Sequence, residues 1–80
     1  MESLKLYGTE ACHLCAEAEL LLRQWLARMP GQFELVTVDI VGDDALFERY
    51  GIRIPVLLHA ATGRELNWPF DMRALDAFLG

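Results

Sequence analysis

Between Leu4 and Met29 a short apolar run stops at a glycine, two cysteines follow with two residues between them, and a long helical stripe begins. This junction limits the folds open to the chain more than any other feature. Leu4 to Tyr7 alternates as a half-buried strand does, and Gly8-Thr9 ends it. After Cys12, apolar side chains recur at Leu14, Ala18, Leu21, Leu22, Trp25, Leu26 and Met29, the spacing of one helical face, and Pro30-Gly31 stops the helix. Cys12 and Cys15 thus fall where a strand gives way to a helix N-terminus. Their sulfurs lie one turn apart, within reach of a disulfide.

The remaining segments extend this beginning into an α/β order. Phe33 to Ile40 is a dense apolar run with Val, Thr and Phe, and it predicts a strand covered on both faces and parallel to the first. Gly42-Asp43-Asp44 starts a second helix carrying Leu46, Phe47 and Tyr50, with Gly51 at its C′ position. Ile54 to Ala60 reads as a strand, and Thr62-Gly63 turns it into a hairpin with Glu65 to Trp68. Asp71 caps a last helix bearing Leu75, Phe78 and Leu79. The expected order is β-α-β-α-β-β-α, within one domain spanning residues 1–80.

Composition narrows the function. Seven basic and twelve acidic side chains give a net charge of −5 with no basic patch, which disfavours nucleic acid and anionic lipid as partners. No apolar run approaches the roughly 18 residues that span a bilayer, and the first residues lack a basic-then-apolar leader, so the expected location is cytoplasmic and not membrane-bound. In a reducing compartment one Cys-x-x-Cys indicates redox chemistry or, less often, half of a metal site.

A thiol attacks as the thiolate, and a free cysteine near pKa 8.5 is only slightly ionised at neutral pH. The helix N-terminus expected at Cys12 favours its negative charge, which makes Cys12 the candidate nucleophile. Cys15, one turn further in, is the candidate resolving thiol. His13, as imidazolium, is a candidate modulator of the Cys12 thiolate. Ile54-Pro55 opens an apolar strand with a residue that has no N–H to give. Two readings suit it: a cis bond facing the cysteines, leaving the Ile54 backbone to pair with a substrate chain, or a trans proline at the first strand position. Arg53 is a candidate for attracting a substrate carboxylate, although a solvated arginine is the commoner outcome. His59 reads as a half-exposed filler on its strand.

Leu6-Tyr7, Cys12-His13-Leu14-Cys15, Val38-Asp39-Ile40, Arg49-Tyr50-Gly51, Ile54-Pro55-Val56-Leu57 and Phe70-Asp71, in this order and spacing, resemble the glutaredoxin-like branch of the thioredoxin superfamily. The resemblance covers nearly the whole chain. It implies a four-stranded mixed sheet in the order 2-1-3-4 with helices on both faces, the first and last sharing one face, and a cis proline at Pro55. It also implies a dithiol oxidoreductase carrying electrons from a reductant to a protein or small-molecule disulfide, with Cys12 and Cys15 catalytic and Ile54, Pro55, Arg53 and Asp71 as candidate substrate contacts.

The departures concern glutathione. Many dithiol glutaredoxins carry a lysine three residues before the first cysteine and a Gly-Gly pair followed by aspartate before the last helix. Here these places hold Thr9 and the run Asn67-Trp68-Pro69-Phe70-Asp71. Only the aspartate is kept, and an N-cap accounts for it. No tightly bound cofactor and no metal is expected, glutathione is a doubtful reductant, and a monomer is the default. The alternatives are a non-catalytic metal or iron–sulfur module, with Cys12 and Cys15 giving two thiolates, and a redox-inactive interaction domain.

Overall fold

The elements run β1 (Glu2–Gly8), α1 (His13–Ala27), β2 (Phe33–Asp39), α2 (Asp44–Tyr50), β3 (Val56–His59), β4 (Arg64–Asn67) and α3 (Met72–Leu79) in a computed structural model that describes residues 1–80. They form one four-stranded sheet in the order β2-β1-β3-β4. β1 and β2 are parallel, and the β1–β3 and β3–β4 pairs are antiparallel. The β-α-β-α-β-β-α order and the mixed 2-1-3-4 sheet are those expected from the sequence.

Alternation along the strands sorts the apolar side chains into two cores. Leu4, Leu6 and Leu57 point to the face covered by Ala18, Leu22 and Trp25 of α1 and Leu75 and Phe78 of α3. Each large side chain withdrawn from water there contributes about 1.5–3 kcal/mol before entropy is counted. α1 and α3 are tied further by a polar contact: the Trp25 indole N–H donates to Asp76 Oδ1 at 2.7 Å, and Arg28 reaches the same oxygen at 3.3 Å. On the opposite face α2 covers a smaller cluster of Tyr7, Ile40, Tyr50 and Val56.

Side chains finish each helix at its start. Asp43 Oδ1 accepts the Leu46 N–H at 3.1 Å, and Asp71 Oδ1 accepts the Ala74 N–H at 2.8 Å. These bonds satisfy amides that have no partner in the first turn. Gly31, Gly42 and Gly63 take positive φ, each in a turn between elements.

Three local expectations are corrected. β2 is an edge strand: Glu34 and Val36 are exposed because the seven-residue α2 is too short to cover that margin of the sheet, and Thr37, on the face of α1, is exposed where a cavity opens beside the cysteines. Gly51 caps α2 with φ −50°, in the right-handed region, so it is not the left-handed C′ residue that its position suggested. His59 is buried rather than half-exposed: it pairs with Glu2 and lies edge-on to Phe33 and Phe78, and this aromatic and ionic surround admits a polar ring into the core.

Candidate functional site

The cysteine loop leaves β1 at Gly8 and enters α1 at His13, and Cys12 is the N-cap of that helix. Its backbone is extended (φ −86°, ψ 107°), and its Sγ accepts the Cys15 N–H at 3.1 Å. A sulfur therefore occupies the place that Ser, Thr, Asp or Asn usually take at a helix start. Cys12 and Cys15 are joined as a disulfide with Cα atoms 5.2 Å apart. Their exposure is unequal: Cys15 is buried at 7% and Cys12 is partly open. The same helix turn thus offers one accessible and one shielded sulfur.

Gly8 makes this packing possible. A Cβ at that position would lie 2.8 Å from Cys15 Sγ and 3.0 Å from its Cβ, so only glycine lets β1 pass so close to the pair.

The Ile54–Pro55 segment lies at the same end of the sheet. Tyr7 pairs with Val56 in the β1–β3 register, which sets Pro55 beside Gly8. The Ile54–Pro55 bond is cis, as is Trp68–Pro69. The Ile54 N–H donates to the Tyr50 carbonyl at 3.1 Å and the Pro55 carbonyl accepts the Trp68 N–H at 3.3 Å. The Ile54 amide is therefore taken within the chain. Its carbonyl accepts none of the backbone bonds made by turns and loops.

The other candidate residues are placed less centrally. His13 is 89% exposed, and its Nε2 lies 3.2 Å from Glu17 Oε2 one turn along the helix. Arg53 donates to Glu65 Oε1 at 2.8 Å and to Asn67 Oδ1 at 3.0 Å, which commits its guanidinium to β4. Asp71 performs the capping role already described. No three His, Cys, Asp and Glu side chains are grouped so as to hold a metal ion, so a metal on Cys12 and Cys15 would need ligands from outside the chain. No helix is long and apolar enough to cross a membrane.

Two features of the site escaped the sequence reading. A cavity of about 280 Å³ opens on the β2 side of the disulfide, lined by both cysteines together with Thr9, Glu10, Glu19, Thr37 and Asp39. Three carboxylates and no base face it, and Asp39 at the end of β2 was the only one whose position a strand assignment could have flagged. The second is a polar cluster behind Pro55. Glu65 accepts from the Tyr50 hydroxyl at 2.7 Å, from Arg53 and, more weakly, from Arg49 at 3.4 Å. Burial, followed by the bond to Glu65, pushes the Tyr50 hydroxyl up to about 12. The bonds from Arg53 and then Tyr50 hold the Glu65 carboxyl below its ordinary value.

A sheet ordered β2-β1-β3-β4 with α1 and α3 on one face, and a Cys-x-x-Cys disulfide capping α1, define a thioredoxin fold. The structure accordingly matches thioredoxin 1 from Thermosipho africanus with a TM-score of 0.66 at 7% identity, over 96% of this chain and 93% of that one. More specifically, residues 3–80 match the Glutaredoxin-like domain (DUF836), and the chain belongs to that family. It is similar to protein XcR50 from X. campestris, solved by X-ray crystallography: 45% identity, TM-score 0.78, covering 95% of this chain and 93% of that chain. It is also similar to Ne2328 from Nitrosomonas europaea: 34% identity, TM-score 0.82, covering 99% and 92%. Among curated proteins none matches.

Proposed function

We propose that the protein is a dithiol thiol–disulfide oxidoreductase in which Cys12 is the nucleophile and Cys15 the resolving thiol. The observation that carries this reading is the Cys15 N–H aimed at Cys12 Sγ at 3.1 Å on a helix N-cap. An amide and the positive end of a helix dipole favour negative charge on that sulfur once the disulfide opens. The reduced Cys12 thiolate attacks one sulfur of a substrate disulfide, forming a mixed disulfide and expelling the other substrate sulfur as thiolate. Cys15 thiolate then attacks Cys12 Sγ, the second substrate thiol leaves, and the Cys12–Cys15 disulfide forms. Two external thiols, or one dithiol, return two electrons and two protons to the pair and leave as a disulfide.

The Ile54 carbonyl, at the same end of the sheet as the disulfide, is the group on this chain suited to take an N–H from an extended substrate. Arg53 has a smaller role here than a free cation would, since it is already paired with Glu65, and the His13 Nε2 is directed to Glu17. Glutathione is a poor candidate for the reductant. Its carboxylates would meet Glu10 and Asp39 at the cavity, where Glu19 is already paired with Arg23, with Thr9 in place of a base, and Trp68 and Pro69 bulk near the start of α3.

Disulfide reduction by the wild type and two variants tests the reading. Cys12→Ser should abolish turnover, and Cys15→Ser should stop it after a single attack. Full activity in both variants would overturn it.

A further inference from the structure

We propose that Glu65 is a positioning residue that fixes Ile54–Pro55 beside the cysteine pair and so governs the binding of extended peptide disulfides, in contrast to small ones. This rests on the oxidoreductase reading above.

Glu65 stands on β4 opposite Leu58 of β3, with its side chain 17% exposed. Its two oxygens divide the work. Oε2 accepts the Tyr50 hydroxyl at 2.7 Å, and Oε1 accepts Arg53 at 2.8 Å. Both donors lie just before the Ile54–Pro55 segment in sequence, and both are tied to it by the backbone. The Tyr50 carbonyl accepts the N–H of Arg53 at 2.8 Å and that of Ile54 at 3.1 Å. One carboxylate on β4 thereby holds the side chains of the residues that set where Ile54 lies.

The same tyrosine packs on the strand that leads to the cysteines. Its ring stacks on Tyr7 with centroids 4.3 Å apart and planes at 17°. Tyr7 precedes Gly8, where an added Cβ would meet the Cys15 sulfur. Glu65, Tyr50, Tyr7 and Gly8 therefore form a continuous path of contacts from β4 to the disulfide, with Ile54–Pro55 seated on it. Stability alone is a weak reason for such a cluster, because a shielded ion pair is often matched or exceeded by apolar packing of the same volume, whereas a fixed geometry is what it supplies well. An extended substrate needs that geometry, since it pairs with a backbone carbonyl whose position is set by these bonds. A small disulfide needs only the sulfur.

The test compares kcat/KM for a disulfide-linked pair of extended peptides with that for hydroxyethyl disulfide, in wild type, Glu65→Ala and Glu65→Gln. Glu65→Ala, which removes the acceptor of Tyr50, Arg53 and, more weakly, Arg49, is expected to lower the peptide-to-small ratio about five- to tenfold, mainly through KM. Glu65→Gln, which keeps an acceptor, should restore part of the ratio, and the reduction potential of the pair should not move. Should Glu65→Ala not fold, Glu65→Gln and Asn67→Ala, which removes the second acceptor of Arg53, carry the comparison. A proportional fall for both substrates, or an unchanged ratio in folded variants, would overturn the proposal. Failure of the wild type to reduce either disulfide would instead remove the oxidoreductase reading on which it rests.

Discussion

Gly8 and Cys15 approach so closely that a methyl group on Gly8 would lie 2.8 Å from the Cys15 sulfur. The strand and the shielded half of the disulfide are therefore packed as one unit. Gly8→Ala should destabilise the protein by about 1–3 kcal/mol, the usual cost of forcing an extra carbon into a filled site. Chemical denaturation of the oxidised protein measures this, and an unchanged midpoint would show that the contact relaxes freely.

Exposure separates the two cysteines. Cys12 is partly open and Cys15 is 7% exposed, so in the reduced protein iodoacetamide should modify Cys12 first. Peptide mapping after a short exposure checks this, and preferential labelling of Cys15 would reverse the assigned roles.

Asp76 joins α3 to α1 through the Trp25 indole, a side chain that is 1% exposed. Asp76→Ala leaves that N–H without its acceptor and should cost about 1–2 kcal/mol. Asp76→Asn keeps an oxygen in place and should cost less. Equal losses in the two variants would mean that the bond is not what holds the helices together.

The Tyr50–Glu65 pair contributes to stability at both ends of the pH scale. The Glu65 carboxyl is held below the ordinary 4.5 of a glutamate by its bonds to Arg53 and Tyr50. Its contribution is present above about 4.5 and is lost as the pH falls through the lower folded value. Tyr50 is raised from 10.0 to about 12, chiefly by burial, so folding favours its neutral form. That contribution is complete below 10.0 and is lost as the pH rises through about 12. In Glu65→Gln the acid limb should flatten, and in Tyr50→Phe the alkaline one. Denaturation midpoints across pH test both, and variants with wild-type limbs would contradict the assignment.

Much of this architecture could be read from residue spacing. The stripe from Leu14 to Met29, the Gly8-Thr9 stop and the Thr62-Gly63 turn each carry a local signature, and each marks an element or turn close to where the structure has it. The coverage of β2 was misread because density of Val and Thr does not reveal whether a neighbouring helix is long enough to reach a strand. Arg53 looked free because its partners Glu65 and Asn67 lie 12 and 14 residues away on another strand. Ion pairs between elements have no period in sequence, and the acidic cavity was hidden for the same reason: Glu10, Glu19 and Asp39 meet only once β1, α1 and β2 are assembled.

Trapping of a substrate on Cys12 tests the central claim most directly. Reduced Cys15→Ser protein, incubated with a peptide disulfide and quenched with acid, should carry one peptide per chain in a mixed disulfide, mapped by mass spectrometry to Cys12. An unmodified Cys12 under conditions where the wild type turns over the same peptide would contradict it.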